Sequence, residues 1–138
     1  MKRLFAINTV FFCIFALQGF AQEFDENNDG KTDKWVTFGA KGSKTILVDR
    51  DYNGKADYLV VYDGEANIKE EQLDFNNDGE MDDFYYYSNS VLIRREIDSN
   101  YDNKIDIWVY IKEGVYIEKY EWDTDYDGVI DKTKNYGE

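Results

Sequence analysis

The stretch Asp123-Thr124-Asp125-Tyr126-Asp127-Gly128-Val129-Ile130-Asp131 carries carboxylates at positions 1, 3, 5 and 9 of a nine-residue loop. Side chains at positions 1, 3 and 5 can point towards one centre, and the glycine at position 6 lets the backbone turn sharply. The backbone carbonyl of position 7 then comes within reach, and the last Asp closes the cage. Hard oxygen ligands in this number suit calcium better than a softer metal.

The same loop occurs five times along the chain. The loops, numbered 1 to 5 in chain order, span residues 25–33, 49–57, 74–82, 98–106 and 123–131. Their first residues are spaced by 24, 25, 24 and 25 positions. A nearly constant period of this kind is typical of a repeat protein.

Each loop offers the same set of candidate calcium ligands. The predicted side-chain ligands, at positions 1, 3, 5 and 9, are Asp25, Asn27, Asp29, Asp33; Asp49, Asp51, Asn53, Asp57; Asp74, Asn76, Asp78, Asp82; Asp98, Asn100, Asp102, Asp106; and Asp123, Asp125, Asp127, Asp131. The predicted carbonyl ligands, at position 7, are Lys31, Lys55, Glu80, Lys104 and Val129. We therefore expect up to five bound calcium ions. The alternative is a set of acidic turns that only face solvent, since Asp-Gly also marks ordinary hairpin turns.

The loops are expected to differ in affinity. Loop 5 has four carboxylates and a glycine, so it should bind calcium most tightly. Loop 2 has Asn53 at position 5, and loop 4 has Asn103 at position 6, where the other loops have glycine. Asn is the residue next most tolerant of a positive φ, so loop 4 can still turn. Loops 2 and 4 should be the weakest.

Between the loops, runs rich in aromatic and β-branched residues predict strands, as at residues 58–62 and 107–111. A short turn and a more charged return strand then lead to the next loop. Because both connections are short, consecutive strands should be antiparallel neighbours, in a meander of about eight or nine strands. The predicted fold class is all-β, an antiparallel β-hairpin repeat; whether the sheet is open, spiral or closed stays undecided.

The first 21 residues have the pattern of a secretory signal peptide. Lys2 and Arg3 precede an apolar run at residues 4–17, and Gly19-Phe20-Ala21 is a small-x-small cleavage site. The alternative is an uncleaved N-terminal anchor. We expect a secreted protein, extracellular or periplasmic, whose residues 22–138 form one calcium-binding β domain without later membrane insertion.

Charge and composition restrict the classes of partner and activity that we expect. Without Lys2 and Arg3 the net charge changes from −13 to −15, and five calcium ions would bring it to −5. This balance disfavours nucleic acid as a partner. Residues 22–138 contain no Cys, His or Pro, so disulfides and the usual nucleophile–base pairs are absent. We expect no enzyme; a carboxylate pair for glycoside hydrolysis is the one catalytic alternative.

The D-x-[DN]-x-[DN]-G-x-x-D loop followed by a strand resembles the calcium-binding loops of FG-GAP and VCBS repeats, most closely in DRDYNGKADYLVVY at residues 49–62. It is also similar to the loops of thrombospondin type 3 repeats and to the first half of EF-hand loops. One hairpin per repeat is nearer to MORN-type or YD-type arrays. The resemblance implies calcium sites and carries no partner or activity with it.

These observations favour a secreted, calcium-stabilised β-repeat protein with a structural or adhesive role, whose partner is a protein or polysaccharide at the cell surface or matrix. The alternative is a glycan- or cell-wall-binding module that stacks sugar rings on one sheet face. The aromatic residues for that face are Trp35, Phe84, Tyr86, Trp108 and Tyr110. The same rings would otherwise form the core.

Overall fold

The computed structural model describes residues 21–136 as one β-sheet of ten strands. The strands are β1 Ala21–Phe24, β2 Lys34–Phe38, β3 Lys44–Val48, β4 Tyr58–Tyr62, β5 Ile68–Leu73, β6 Asp83–Ser88, β7 Val91–Ile97, β8 Ile107–Lys112, β9 Tyr116–Trp122 and β10 Lys132–Asn135. A 3-10 turn, Ala40–Gly42, joins β2 to β3. Within the described residues no helix is long and apolar enough to cross a membrane. The predicted signal peptide lies outside the described residues except for Ala21, which begins β1.

Every strand pairs antiparallel with its neighbour in sequence, so the sheet is an open meander in the order β1 to β10. The predicted all-β hairpin-repeat fold is confirmed. The sheet has ten strands rather than the eight or nine expected, because the polar segments AQEF and KTKN at its two edges also pair. Edge pairing uses backbone hydrogen bonds, and it needs no apolar pattern in the side chains.

The pairing register sorts the side chains onto two faces, because directly opposed residues project to the same side of a sheet. One face, here called the valine face, contains the row that links Val36, Ile46 and Val60 and continues to Val109. The buried hydrophobic residues among residues 21–136 all lie in this row: Val36, Val60 and Val109. The other side of the sheet is called the aromatic face. A core this small leaves much of the fold's stability to other interactions.

An ion pair with a buried carboxylate joins two central strands on the valine face. Asp83 is fully buried, and Arg95 donates to both of its oxygens, from Nε at 2.8 Å and from Nη2 at 2.5 Å. The hydroxyl of Tyr85 also donates to Asp83, at 2.8 Å. Burial and this hydrogen bond raise the pKa of Tyr85 to about 12. The pair ties β6 to β7, and the sequence pattern alone assigned no role to Asp83.

Candidate metal sites

All five loops lie at the same end of the strands, because each loop joins an odd-numbered strand to the strand that follows it. The backbone N–H of Asp49 donates to the carbonyl of Asp33 at 2.8 Å, and the equivalent bond joins each later loop to the one before it, at 2.8 to 3.0 Å. The closing Asp of one loop is therefore next to the opening Asp of the following loop. The five loops form one acidic row, here called the loop edge.

The Asp at position 1 organises its own loop through backbone hydrogen bonds. One oxygen accepts from the N–H of position 6 in all five loops, at 2.6 to 2.9 Å. The other oxygen accepts from the N–H of position 4 or 5, at 2.7 to 3.3 Å. Each loop thus folds around its first carboxylate.

The turn needs left-handed backbone at two positions. Position 6 has φ between 68° and 96°, and Asn103 adopts it at 68°, as the sequence predicts. Position 4 also has positive φ, from 60° to 64°, which the sequence analysis missed. The residues there are Asn28, Tyr52, Asn77, Tyr101 and Tyr126. Asn is a signal for this conformation, whereas Tyr is not, because its bulk disfavours positive φ.

The Asp at position 9 closes the loop from the other side. Its Oδ2 accepts from the N–H of position 2 at 2.8 to 2.9 Å in every loop. In loops 4 and 5 the hydroxyls of Ser99 and Thr124 add a further bond to the same oxygen, at 2.9 and 2.6 Å. In loops 1, 3, 4 and 5 no hydrogen bond from the described residues reaches Oδ1, which remains available as a ligand.

Positions 3 and 5 continue the same pattern. The side chain of position 5 accepts from the N–H of position 7 in all five loops, at 2.8 to 3.0 Å. In loops 1 to 4 the side chain of position 3 accepts from the N–H of position 5, at 2.8 to 3.1 Å. These side chains therefore turn inwards along the loop. The predicted carbonyl ligands of position 7 lie at the same turn.

Eight of the ten Asp residues at positions 1 and 9 are buried, with exposed fractions of 1 to 4%. The two exceptions, Asp25 and Asp131, belong to the loops at the two ends of the row. Carboxylates removed from water are unstable unless hydrogen bonds or cations compensate them. Burial raises the pKa of Asp82, two backbone N–H groups oppose this, and the charges of Asp74 and Asp78 add to it. A cation at the loop edge would relieve this excess negative charge.

The carboxylates converge most closely in loops 2 and 5. Oxygens of Asp49, Asp51 and Asp57 lie within 4.8 Å of one another, and the equivalent oxygens of loop 5 do the same. In loops 1, 3 and 4 position 3 is an Asn, so this trio of carboxylates cannot form there. The structure thus brings together the predicted ligands of positions 1, 3 and 9 in two loops; metal binding itself stays a prediction.

Loop 5 concentrates unpaired negative charge. The charges of Asp127 and Asp131 raise the pKa of Asp125. Hydrogen bonds from the hydroxyl and N–H of Thr124 lower the pKa of Asp131. A cation near Asp125 would therefore relieve this repulsion.

Loop 2 contains a cation of its own. Arg50, at position 2, donates from Nε to Oδ1 of Asp57 and from Nη2 to the carbonyl of Asp57 at 3.3 Å. Its guanidinium carbon lies 5.1 Å from the ring centroid of Tyr58. The sequence pattern by itself assigned no role to Arg50. The available signal was the variation at position 2, which is Glu26, Phe75, Ser99 and Thr124 in the other loops.

The five aromatic residues singled out from the sequence all lie on the aromatic face, and all are half-buried: Trp35, Phe84, Tyr86, Trp108 and Tyr110. Cations cover two of the rings. Arg94 lies 4.3 Å from the ring centroid of Tyr86, and Lys119 lies 3.8 Å from that of Tyr110. A groove of about 680 Å³ between this face and loops 2 to 4 is lined in part by Phe84. Trp35, Phe84 and Trp108 are the rings left to contact a ligand.

Comparison of the chain with protein-family models, with curated proteins and with solved structures finds no match. Function must therefore be inferred from the residues themselves. The fold and the loops together define an open β-hairpin repeat sheet with one acidic edge.

Proposed function

We propose that the protein binds calcium at its loop edge and uses the metal to hold a structural β-repeat array together. One observation supports this most strongly. Carboxylate oxygens of Asp123, Asp125 and Asp131 lie within 4.8 Å of one another, in a loop whose hydrogen-bond pattern recurs along the edge. The burial of most Asp residues at positions 1 and 9 adds to it, because charges removed from water favour a bound cation.

The chemistry of the donors favours calcium over other metals. The loops offer carboxylate, amide and carbonyl oxygens, and no thiol or imidazole. Transition metals prefer nitrogen or sulfur ligands, and magnesium requires near-ideal octahedral geometry and keeps several waters. A loop with five oxygen donors and exposed positions 3 and 5 suits the larger, more flexible coordination of calcium.

The metal would stabilise the fold and would not take part in a reaction. The valine face has a small hydrophobic core, and the residues after the predicted cleavage site contain no cysteine to form a disulfide. Extracellular modules bind calcium with Kd of about 10⁻⁴ to 10⁻³ M, which suits a secreted protein. We propose a non-enzymatic structural or adhesive role outside the cytoplasm, with a protein or polysaccharide partner.

Isothermal titration calorimetry of the purified protein with calcium and with magnesium tests the metal. We expect several calcium ions per chain, and up to five, with magnesium bound more weakly. Asp123→Ala removes one predicted ligand of loop 5, and it should remove one site. A stoichiometry of none or one in the unmutated chain would contradict the proposal.

A second candidate function is glycan binding by the aromatic face. The observation that favours it is the placement of Trp35, Phe84 and Trp108 on the same side of the sheet, beside a groove of about 680 Å³. Aromatic rings stack on the apolar faces of sugars, and a neighbouring groove can hold an extended chain.

Affinity electrophoresis in gels that contain soluble polysaccharides tests this second function. Trp108→Ala should abolish any retardation. Tyr110→Ala is the matched control, because Lys119 already covers that ring. Equal migration in every polysaccharide would reject glycan binding and leave the calcium proposal untouched.

A further inference from the structure

Position 9 distinguishes loop 2 from the other four loops. In each loop its Oδ2 is held by backbone N–H groups, which are neutral donors. In loop 2 the Oδ1 of Asp57 also accepts a hydrogen bond, from the guanidinium of Arg50. A backbone N–H can share a carboxylate with a metal ion, whereas a guanidinium brings a full positive charge to the same place.

Three contacts hold Arg50 in this position. Its Nε and Nη2 donate to the side chain and to the carbonyl of Asp57, and its guanidinium lies over the ring of Tyr58. Asp57 is 4% exposed, so the ion pair is shielded from solvent on the carboxylate side. Such a charge-assisted pair beside a buried carboxylate is stronger than one between two exposed groups.

We propose that Arg50 takes the place of the metal in loop 2, so that this loop is closed by an internal cation and excludes calcium while the other loops bind it. The inference rests on the proposed calcium function and assigns its selectivity among the five loops. To bind in loop 2, calcium must displace Arg50 or bind next to its positive charge, which repels it.

A second feature of loop 2 points the same way. The amide Nδ2 of Asn53 donates to Oδ2 of Asp51 at 3.0 Å, and the backbone N–H of Asn53 donates to Oδ1 of Asp51 at 3.1 Å. Each oxygen of Asp51 therefore already has a donor. Asn53 was also the reason for which the sequence predicted a weak loop 2, so the experiment must separate Asn53 from Arg50.

Site-resolved NMR can follow each loop through the amide of its sixth residue. The N–H of Gly54 donates to Asp49 at 2.7 Å, and the N–H of Gly128 donates to Asp123 at 2.6 Å, so both signals respond to a metal at the first Asp. The protein is titrated with calcium chloride to about 1 mM, the upper range for extracellular sites. In the unmutated protein the signal of Gly128 should shift and that of Gly54 should not.

Three variants separate the causes. Arg50→Thr gives loop 2 the residue that loop 5 has at this position. Calcium should then shift the signal of Gly54, and loop 2 should bind calcium at least about tenfold more tightly than in the unmutated protein. Thr124→Arg places a guanidinium in loop 5, where Asp131 is exposed and Lys132 stands in the place of Tyr58, so it should weaken loop 5 by less than about tenfold. Asn53→Asp restores the carboxylate count but keeps Arg50, and Gly54 should remain insensitive.

The outcomes are distinct. A shift of Gly54 in the unmutated protein, or in Asn53→Asp but not in Arg50→Thr, would overturn the role of Arg50 and leave calcium binding intact. If Arg50→Thr does not fold, Arg50→Gln decides in its place, because it removes the charge and keeps most of the side-chain length; an insensitive Gly54 in that variant would overturn the inference. If neither glycine signal moves in any variant, the calcium function itself fails.

Discussion

Loops 2 and 5 bring together the same three carboxylates, at positions 1, 3 and 9, but they balance the negative charge differently. In loop 2 both Asp49 and Asp57 are buried, and the guanidinium of Arg50 pairs with the second of them. In loop 5 the closing Asp131 is exposed, and neighbouring carboxylates raise the pKa of Asp125. Loop 2 carries its own cation, whereas no Lys or Arg among residues 21–136 forms an ion pair with a carboxylate of loop 5.

The difference shows that loops with the same sequence pattern can balance their carboxylates in different ways. Both loops satisfy the ligand pattern, and in both the backbone N–H of position 6 donates to the first Asp. The residue at position 2, which is not a ligand, decides whether the ninth carboxylate already has a positive partner. Arg50 is part of the chain, so its pairing with Asp57 does not depend on the surrounding calcium concentration. The occupancy of a metal site does depend on that concentration.

The largest expected effect comes from removal of calcium. Each loop occupied at about 1 mM calcium with Kd near 0.1 mM adds about 1.4 kcal/mol of stability. For four loops this is about 5.7 kcal/mol, which corresponds to a Tm about 20 to 25 °C higher in calcium than in EDTA for a domain of this size. Thermal unfolding followed by circular dichroism checks this, and added salt should partly restore the Tm in EDTA because it screens the loop edge.

Hydrogen exchange under the same conditions sharpens the comparison. In EDTA the amide of Gly128 should exchange much faster than in calcium, whereas Gly54 should be similarly protected in both, because Arg50 stays in place. An unchanged Tm together with equal exchange at both glycines would mean that metal contributes nothing to the fold.

Loss of the Asp at position 9 should reduce stability more in loop 2, and calcium binding more in loop 5. Asp57→Ala removes the acceptor of the Arg50 backbone N–H and of its half-exposed guanidinium, so we expect a loss of about 1 to 2 kcal/mol in urea unfolding with EDTA present. Asp131→Ala, at an exposed position, should cost less than about 1 kcal/mol. In calorimetry the order reverses, since only Asp131→Ala should remove a calcium site. Equal losses in both assays would remove the distinction between the loops.

Calcium should reverse the effect of pH on stability. The pKa values of Asp82 and Asp125 are raised in the folded protein, so the folded state takes up protons more readily than the unfolded state. Without calcium, stability should therefore rise as pH falls from about 7 towards these raised pKa values, by a few degrees or less in Tm. The lowered pKa of Asp131 acts only at lower pH, where its contribution is lost as the group protonates.

With calcium present, protons compete with the metal for the same carboxylates, and the Tm should fall over the same pH range. Thermal unfolding in matched buffers, with and without EDTA, measures both slopes. Slopes of the same sign in the two series would show that the titrating carboxylates are not the metal ligands.

The smallest expected effect is that of charge count at position 3. Asp125→Asn should weaken loop 5 about three- to tenfold, because it removes one charge and keeps an oxygen donor. Asp51→Asn is the matched change in loop 2, and it should leave the number of bound calcium ions unchanged. By NMR, Gly128 reports the affinity of loop 5, and the signal of Gly54 should stay unshifted in Asp51→Asn. An unaltered affinity in loop 5 would mean that charge count does not set the order of the sites.

Much of the loop geometry could be predicted from the sequence because it depends on contacts within nine residues. Carboxylates at positions 1 and 9 accept N–H groups from their own loop, and the positive φ of Asn103 follows from the place of glycine in the other loops. The positive φ of Tyr52 could not be predicted, because the turn imposes it against the preference of the residue. The edge strands β1 and β10 were not predicted as strands, because pairing through the backbone requires no pattern in the side chains.

By itself, the sequence determined the repeat, the five acidic loops and the antiparallel order of the strands, since all of these follow from local spacing and short connections. Only the tertiary structure decided which carboxylates are buried, which aromatic rings are covered by cations, and that Arg50 meets Asp57. The physical reason is that burial and ion pairing depend on neighbouring strands and on the direction of each side chain. Those contacts exist only once the loops are aligned along one edge of the sheet.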